Sequence, residues 1–275
     1  MIQGTSSGAG KSMIVAGLCR IFSDAGRKVA PFKSQNMSSN LYQTAGGLKM
    51  ARAQAIQAVA ARREPDARMN PILLKPLGDY RSEVLVNGRF YAEMHAKEYY
   101  ENFVLKQGFP LALKALDSLR RENDVVVIEG AGSPAEINIA RYDIANMLLA
   151  EKVKSPVVIV ADIERGGCFA SIVGTMQLLK PKHRVIVKGF LINKFRGDPS
   201  LLAPAIKTTE KMTRKRVLGV VPKIEIELPE EDSLDGGRAG SELLPQESWG
   251  WQLDLLAKAI KENADIERLN RVAGF

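Results

Sequence analysis

A glycine-rich turn at residues 4–12 constrains this chain more than any other stretch of its sequence. The turn reads Gly-Thr-Ser-Ser-Gly-Ala-Gly-Lys-Ser, and residues 13–25 after it predict a helix that stops at Gly26. A turn of this kind directs its backbone N–H groups at phosphate oxygens, while the lysine reaches the terminal phosphates and the serine hydroxyl reaches Mg²⁺. The pattern therefore predicts a phosphate loop, and a plain Gly/Ser turn is the alternative.

The spacing of this loop is unusual, because five residues separate Gly4 from Gly10 where the common motif has four. The longer loop is typical of dethiobiotin synthetase and its relatives. Only three residues precede it, so the first strand is very short or the natural chain begins earlier. The residues predicted to surround the nucleotide are Thr5, Ser6, Ser7, Gly8, Ala9, Gly10, Lys11 and Ser12.

Four apolar runs predict buried parallel strands. They lie at 124–129, 155–162, 185–193 and 217–221, and helical segments at 143–152, 168–180 and 199–213 separate these four strands. Strands that alternate with helices predict a mostly parallel sheet with helices on both faces. The predicted fold class is therefore α/β, a P-loop NTPase-like fold of the dethiobiotin synthetase type.

Polar residues end three of these strands, where open α/β sheets bind ligands. Glu129 is predicted to hold Mg²⁺ or its waters, together with Ser12, because hard cations prefer oxygen ligands. Asn193 and Lys194 are predicted to contact the nucleotide base, since an amide both donates and accepts. Asp162 either organises the metal or caps the next helix. For Glu129 and Asn193 the alternatives are a capping acid and a structural turn.

Other polar residues give weaker signals. Lys33 and Lys75 are candidate clamps for phosphate or carboxylate, although a single surface lysine is more often only solvated. Asp143 lies at the start of the helix predicted at 143–152, where N-capping explains it. Cys168 precedes a helix but has no neighbouring histidine, which favours a structural role.

Segments between these motifs complete the predicted organisation. A helix at 50–63, a strand or loop at 69–76, a hairpin turning at Asn87-Gly88, and a long helix at 99–122 are expected, whereas 33–38 is polar and without periodicity. We expect one domain over 1–235. Residues 236–275 then form a linker and a C-terminal helix.

Composition excludes several classes of protein. The 275 residues carry a net charge of +8, but the basic residues are scattered, which argues against nucleic-acid binding and fits steering of an anionic ligand. Two cysteines exclude a disulfide scaffold and fit a reducing cytoplasm. No apolar run is long enough to span a bilayer, and no signal peptide precedes the loop. The sequence therefore indicates a cytoplasmic protein without a membrane partner.

Several motifs together resemble the synthetase domain of the cobyric acid synthase family. The resemblance covers about 2–235. It is carried by QGTSS at 3–7, APFKSQNMS at 30–38, MNPILLKP at 69–76, EGAGSPAEIN at 129–138, ADIERGG at 161–167, INKFRGD at 192–198 and LPEEDSL at 228–234. The resemblance implies an ATP-dependent amide ligase of cobalamin biosynthesis. Such an enzyme amidates four peripheral carboxylates of adenosylcobyrinic acid a,c-diamide through acyl phosphates.

The resemblance also implies roles and partners. Lys11, Ser12 and Glu129 would handle the phosphates and Mg²⁺, and Asp143 would belong to the substrate-handling loop. Lys11, Lys33 and Asp143 are the predicted catalytic residues, ATP and Mg²⁺ the predicted cofactors, and a corrinoid the predicted substrate. A homodimer is a further expectation.

Three departures from the family pattern stand out. The strand before the loop is short, and Arg141-Tyr142 precedes Asp143 where the family usually has an acidic residue and its neighbour. No cysteine lies in a nucleophile elbow, so we expect ammonia to come from a glutaminase domain or partner outside this chain. The tail would then be a remnant of that domain.

Other enzymes and a nucleotide switch remain alternatives to this function. Cobyrinic acid a,c-diamide synthase and a dethiobiotin-synthetase-like ligase are the alternative enzymes. A partition-type nucleotide-switch ATPase would carry a lysine where this chain has Ser6.

Overall fold

The computed structural model describes residues 1–226 and 249–275. The strands of these residues are β1 (Ile2–Gly4), β2 (Val29–Phe32), β3 (Gln35–Met37), β4 (Leu41–Gln43), β5 (Lys49–Ala51), β6 (Ile72–Gly78), β7 (Arg81–Val86), β8 (Arg89–His95), β9 (Val125–Ile128), β10 (Val157–Asp162), β11 (Val187–Phe195) and β12 (Arg216–Pro222). The helices are α1 (Lys11–Asp24), α2 (Arg52–Ala60), α3 (Ala96–Glu98), α4 (Phe109–Glu122), α5 (Met147–Lys152), α6 (Cys168–Leu178), α7 (Pro181–Ile186), α8 (Ala203–Thr213), α9 (Trp249–Asn263) and α10 (Ile266–Ala273). The linker predicted from Gly236 and the motif at 228–234 lie outside the described residues.

One compact unit comprises Met1–Ile14, Gly130–Ile226 and Leu255–Phe275. Its sheet has the order β1-β10-β11-β12, and every pairing is parallel. The first five residues of β10 are all buried, as expected of a parallel strand that is covered on both faces. Side chains from β10, β11, α5 and α6 form its core, including Ile159, Ile172 and Phe190. The parallel α/β fold predicted from the sequence is confirmed.

The short first strand is fully part of this sheet. Ile2 pairs with Val158 and Gly4 with Val160, and the N–H of Thr5 donates to the Val160 carbonyl oxygen over 2.9 Å. Three residues suffice because the pairing with β10 supplies the backbone hydrogen bonds that a buried strand needs. The chain therefore leaves β1 at the carboxyl edge of the sheet and enters the glycine-rich turn.

The edge strand β12 of this sheet is covered by the C-terminal segment. Gly219 of β12 forms an antiparallel bridge with Ala264, and the Asp265 N–H donates to the Leu218 carbonyl oxygen over 2.7 Å. A strand edge left open presents unpaired backbone groups to other chains. The residues that join α9 to α10 thus complete the sheet.

The second compact unit comprises Val15–Glu129 and, of the described residues, 249–254. Strands β2 and β9 form a parallel pair, whereas the sheet β3-β6-β7-β8 is mixed, with only β3 and β6 parallel. Strands β4 and β5 form a separate antiparallel pair. The predicted hairpin is confirmed: β7 and β8 are joined by Asn87 and Gly88, which have φ of 47° and 80°.

Three segments differ in detail from what the sequence predicted. The helix predicted over 99–122 is confirmed in extent, but its first part, Tyr99–Gly108, is π-helical. There the Phe109 N–H donates to the Val104 carbonyl five residues back, and Pro110 has no N–H to donate. The polar segment at 33–38 contains strand β3, since backbone pairing with β6 does not require apolar side chains. The helix predicted at 143–152 begins only at Met147.

The helices of the described residues can be compared with the length and apolarity that a membrane span needs. None of these helices is both long and apolar enough to cross a bilayer.

Candidate active site

The predicted phosphate loop connects β1 to α1 in the first unit. Gly8 and Gly10 have φ of 71° and 90°, in the left-handed region that favours glycine. A Cβ at Gly8 would meet nothing within 4 Å, whereas a Cβ at Gly10 would clash with the Asn193 side-chain amide. Helix α1 begins at Lys11, directly after the loop, so its N-terminal N–H groups and positive dipole end follow the turn. These features fit a bound phosphate.

The lysine of this loop lies against the loop's own backbone. The Lys11 side chain is buried, and its Nζ donates to the Ser6 carbonyl oxygen over 3.0 Å. Ser12 lies in the first turn of α1 and is half-buried. Both residues lie at the start of α1, and their contacts with a nucleotide stay predictions.

The end of β11 contacts the phosphate loop. Asn193 Nδ2 donates to the Ala9 carbonyl oxygen over 3.0 Å, and Lys194 Nζ donates to the Gly8 carbonyl oxygen over 2.7 Å. Asp162 ends the neighbouring strand, and its Oδ2 lies 3.2 Å from Lys194 Nζ. Asp162 does not cap α6, which begins at Cys168 with Gly167 as its N-cap residue. The predicted contact with the base is untested, but the structure brings these three residues together at the loop.

Asp143 lies in the segment before α5. Its Oδ1 accepts hydrogen bonds from the N–H groups of Ala145 and Asn146 over 3.2 and 3.0 Å, so it stabilises a turn and is not the N-cap residue of α5, which is Asn146. Burial is the main cause that raises the pKa of Asp143 to about 6. The neutral form of this carboxyl group is thus favoured more than in an exposed aspartate.

Asn146 is a residue that the sequence reasoning missed. Its Nδ2 donates to the Ala131 carbonyl oxygen over 2.5 Å and to Asp143 Oδ1 over 3.2 Å, and a Cβ at Gly130 would clash with its Oδ1. It therefore holds the Asp143 segment against the glycine-rich segment that starts at Gly130. The only sequence signal was a polar residue between apolar ones.

In the second unit, Glu129 and Lys33 form a buried ion pair. Lys33 Nζ lies 3.0 Å from Glu129 Oε1, and Glu129 is completely buried. Glu129 Oε2 accepts from Gln54 Nε2 over 3.3 Å and also from Gln57 Nε2. Gln54 in turn accepts from Asn36 Nδ2 over 2.9 Å. The carboxylate is thus surrounded by one ammonium and two amides.

This donor set does not favour direct coordination of a cation by Glu129. An Mg²⁺ ion bound to the carboxylate would have to displace a hydrogen-bond donor and would lie beside the Lys33 charge. The metal role of Glu129 stays a prediction, and none of the chemistry proposed below passes through it. Gln54 and Gln57 were missed by the sequence reasoning, although their spacing places both on one face of an Ala-rich helix.

The remaining candidates are Lys75 and the two cysteines. Lys75 Nζ is 3.5 Å from Glu83 Oε2, its cross-strand neighbour on β7. Both cysteines are buried, and burial raises the pKa of Cys19 and raises that of Cys168 to about 11. Neither thiol is therefore activated as a nucleophile. In residues 1–226 and 249–275, no three His, Cys, Asp or Glu side chains are grouped as a metal site would need.

Comparisons with known proteins agree with the phosphate loop. The chain is 55% identical over 236 residues to the "Probable cobyric acid synthase" of Thermococcus kodakarensis, which covers 85% of this chain and 48% of that protein. It is also 55% identical over 232 residues to the "Cobyric acid synthase" of Caldanaerobacter subterraneus subsp. tengcongensis, covering 84% of this chain and 45% of the relative. The chain thus spans about half the length of the curated relatives it matches.

The resemblance noted in the sequence is confirmed by these relatives. Among solved structures, the signal recognition particle receptor FtsY of Elizabethkingia anophelis has a TM-score of 0.47 at 14% identity, covering 80% of this chain and 55% of that one, which is too weak to support an inference. Residues 1–234 match the CbiA family, described as the CobQ/CobB/MinD/ParA nucleotide binding domain. Because this match covers most of the sequence, the chain belongs to the CobQ/CobB/MinD/ParA nucleotide-binding domain family.

Proposed function

We propose that the chain is the ATP-dependent synthetase part of a cobyric acid synthase. It would amidate the b, d, e and g carboxylates of adenosylcobyrinic acid a,c-diamide. The observation that carries the proposal is the identity of 55% over 85% of this chain to a relative named for that activity. The loop geometry supports it, because Gly8 and Gly10 have the conformation that a phosphate-binding turn needs.

The reaction solves a specific chemical problem. A carboxylate is a poor acyl donor because its leaving group would be oxide. A carboxylate oxygen attacks the γ-phosphorus of ATP, the bond from that phosphorus to ADP breaks, and a mixed anhydride forms. Ammonia then attacks the acyl carbon, and phosphate leaves with the bonding electrons. Catalysis consists mostly of positioning and of stabilising charge on the phosphoryl group.

Different residues of this chain would contribute to the positioning and to the stabilisation of charge. Lys11 and the N–H groups of the loop would stabilise the phosphates, as in other phosphate loops. Mg²⁺, when bound, would neutralise phosphate charge, and Ser12 is the residue expected to hold it. Lys33 stays a predicted catalytic residue, and its buried ammonium is paired with Glu129. Asp143 would bind substrate in the segment that Asn146 holds in place.

The source of ammonia is the second part of the proposal. Glutamine hydrolysis by this class of enzyme needs an activated cysteine, and both cysteines here are buried with raised pKa values. Ammonia would therefore come from a glutaminase domain or partner that is not in this sequence.

A single assay tests both parts. ATP consumption is measured with the corrinoid diamide and either ammonium or glutamine. We expect corrinoid-dependent turnover with ammonium only. Lys11→Ala should abolish it, whereas Lys207→Ala, an exposed lysine on α8, should leave it unchanged.

Two results would contradict the proposal. Turnover with glutamine by this chain alone would refute the external source of ammonia. An ATP consumption rate that is the same with and without the corrinoid, for both ammonium and glutamine, would favour the nucleotide-switch hypothesis. The choice of substrate distinguishes the two alternative enzymes. Cobyrinic acid a,c-diamide synthase would use cobyrinic acid itself, and a dethiobiotin-synthetase-like ligase would use neither cobyrinic acid nor its a,c-diamide.

A further inference from the structure

Two residues at the end of β11 bind carbonyl oxygens of the phosphate loop. Lys194 Nζ lies 2.7 Å from the Gly8 oxygen, and Asn193 Nδ2 lies 3.0 Å from the Ala9 oxygen. The two contacts come from adjacent residues and reach adjacent carbonyls. They therefore fix two consecutive peptide planes of the loop.

Fixing a carbonyl also fixes an N–H group. In a trans peptide the C=O of one residue and the N–H of the next point in opposite directions, and the described residues contain no cis peptide. When the Gly8 and Ala9 carbonyls face β11, the N–H groups of Ala9 and Gly10 face away from it. Those are two of the N–H groups that a phosphate loop offers to its anion.

Asp162 fixes the lysine in turn. Its Oδ2 lies 3.2 Å from Lys194 Nζ, while its Oδ1 accepts from the Glu164 N–H over 2.8 Å. The Asp162 side chain is only 8% exposed. Asp162 and Asn193 are also neighbours in the register of β10 and β11. The carboxylate is thus anchored by the sheet and holds the ammonium toward the loop.

Two backbone features agree with this arrangement. Lys194 has φ of 61°, a conformation that residues with a Cβ rarely adopt and that persists where surrounding contacts impose it. A Cβ at Gly10 would clash with the Asn193 side-chain amide, so a larger residue there would have to displace that amide. The loop and the end of β11 therefore fit each other closely.

We infer that Asp162, Asn193 and Lys194 are positioning residues that orient the phosphate loop, and that their effect is on the phosphates and not on the base. The inference rests on the proposed function only in taking a nucleotide polyphosphate as the ligand of this loop. It replaces the expectation that Asn193 and Lys194 read the base with a testable alternative.

The experiment measures the affinities of ATP, GTP and inorganic tripolyphosphate by calorimetry. The variants are Lys194→Met, Lys194→Gly and Asp162→Asn, and the control is Lys188→Met, an exposed lysine on the same strand. Lys194→Gly removes the amine while relieving the positive φ, so it separates the contact from the strain. Thermal unfolding of each variant shows whether it has folded.

Loop positioning predicts a loss of about tenfold or more in affinity for both ATP and tripolyphosphate, with the ratio of ATP to GTP affinity unchanged. Both Lys194 variants should behave alike, and Lys188→Met should match the wild type. The inference is overturned if tripolyphosphate binding is unaffected while the ratio of ATP to GTP changes, because that is base reading. Asp162→Asn removes the charge that faces Lys194 Nζ without changing the size of the side chain, and it should lower both affinities in the same way.

The binding measurements also distinguish a failure of this inference from a failure of the proposed function. Normal polyphosphate binding without corrinoid-dependent turnover would contradict only the proposed function. A wild-type chain that binds neither ATP nor tripolyphosphate would contradict both.

Discussion

Lys33 Nζ lies 3.0 Å from Glu129 Oε1, and the two side chains are 4% and 0% exposed. Removing both charges from water costs free energy that the pair recovers only if its other hydrogen-bonding positions are also satisfied. Gln54 and Gln57 contribute to this by donating to the second carboxylate oxygen. The pair therefore joins the segment after β2 to the end of β9 and fixes the position of a charged ammonium.

Lys33→Met should destabilise the protein strongly. The substitution removes an ammonium from beside a fully buried carboxylate, and breaking such a pair from one side costs about 3–5 kcal/mol. Urea unfolding gives the free energy directly. The double variant Lys33→Met/Glu129→Gln should recover much of the loss, because neither position of the pair would then carry a buried charge.

Lys75→Met is the matched control for this prediction. Lys75 and Glu83 also form an ion pair, but the lysine side chain is 39% exposed and the distance is 3.5 Å. Exposed pairs of this kind contribute about 0–1 kcal/mol. Equal losses for Lys33→Met and Lys75→Met would contradict the structural importance of the buried pair.

Much of the architecture was predictable because it depends on local patterns. The continuous apolar runs of β9, β10 and β11 identify buried parallel strands, and Asn87-Gly88 identifies a hairpin turn. The phosphate loop was predictable for the same reason, since its glycines, lysine and helix are adjacent in sequence. These patterns need no knowledge of distant contacts.

The partners of the site residues were not predictable in this way. Gln54 and Gln57 reach Glu129 across more than 70 positions of sequence, with separations of 75 and 72. Asn193 and Lys194 were recognised as site residues, but their contacts with Ala9 and Gly8 depend on how β1, β10 and β11 pair. Polar side chains carry no period that would reveal such tertiary contacts.

Gly10→Ala should impair nucleotide binding far more than Gly8→Ala. Both glycines have positive φ, so either substitution strains the backbone by about 1–2 kcal/mol. Only at Gly10 would the new Cβ also clash with Asn193, because nothing lies within 4 Å of a Cβ at Gly8. ATP affinity measured for both variants tests this, and equal losses at the two positions would show that strain alone matters.

Asp143 should make stability depend on pH between about 4 and 6. Burial raises its pKa from 3.8 to about 6, so the folded state favours the neutral acid. The stabilisation from this group is complete below the unfolded pKa and is lost as pH rises through the folded pKa, by about 3 kcal/mol at most. Asp143→Asn should therefore gain stability relative to the wild type as pH increases from 4 to 7 in unfolding experiments.

Asp198 provides a control of opposite sign for this pH dependence. A hydrogen bond from the Ser200 N–H lowers the pKa of Asp198, so its stabilisation is present above the unfolded pKa and is lost as pH falls. Asp198→Asn should thus lose stability relative to the wild type near neutral pH. If both variants shifted in the same direction with pH, the assignment of a raised pKa to Asp143 would be wrong.

Gly219→Ala should test whether the C-terminal segment is an integral part of the first unit. A Cβ at Gly219 would lie 2.5 Å from the Asn263 carbonyl oxygen and 2.7 Å from the Ala264 Cα, so the segment would have to move away from β12. We expect a loss of about 1–3 kcal/mol, as for overpacking in a core, measured by urea unfolding. Gly174→Ala on α6 is the control, because nothing lies within 4 Å of its Cβ and alanine favours a helix by about 1 kcal/mol. If Gly219→Ala were as stable as the wild type, the packing of Asn263 and Ala264 against β12 would not contribute to stability.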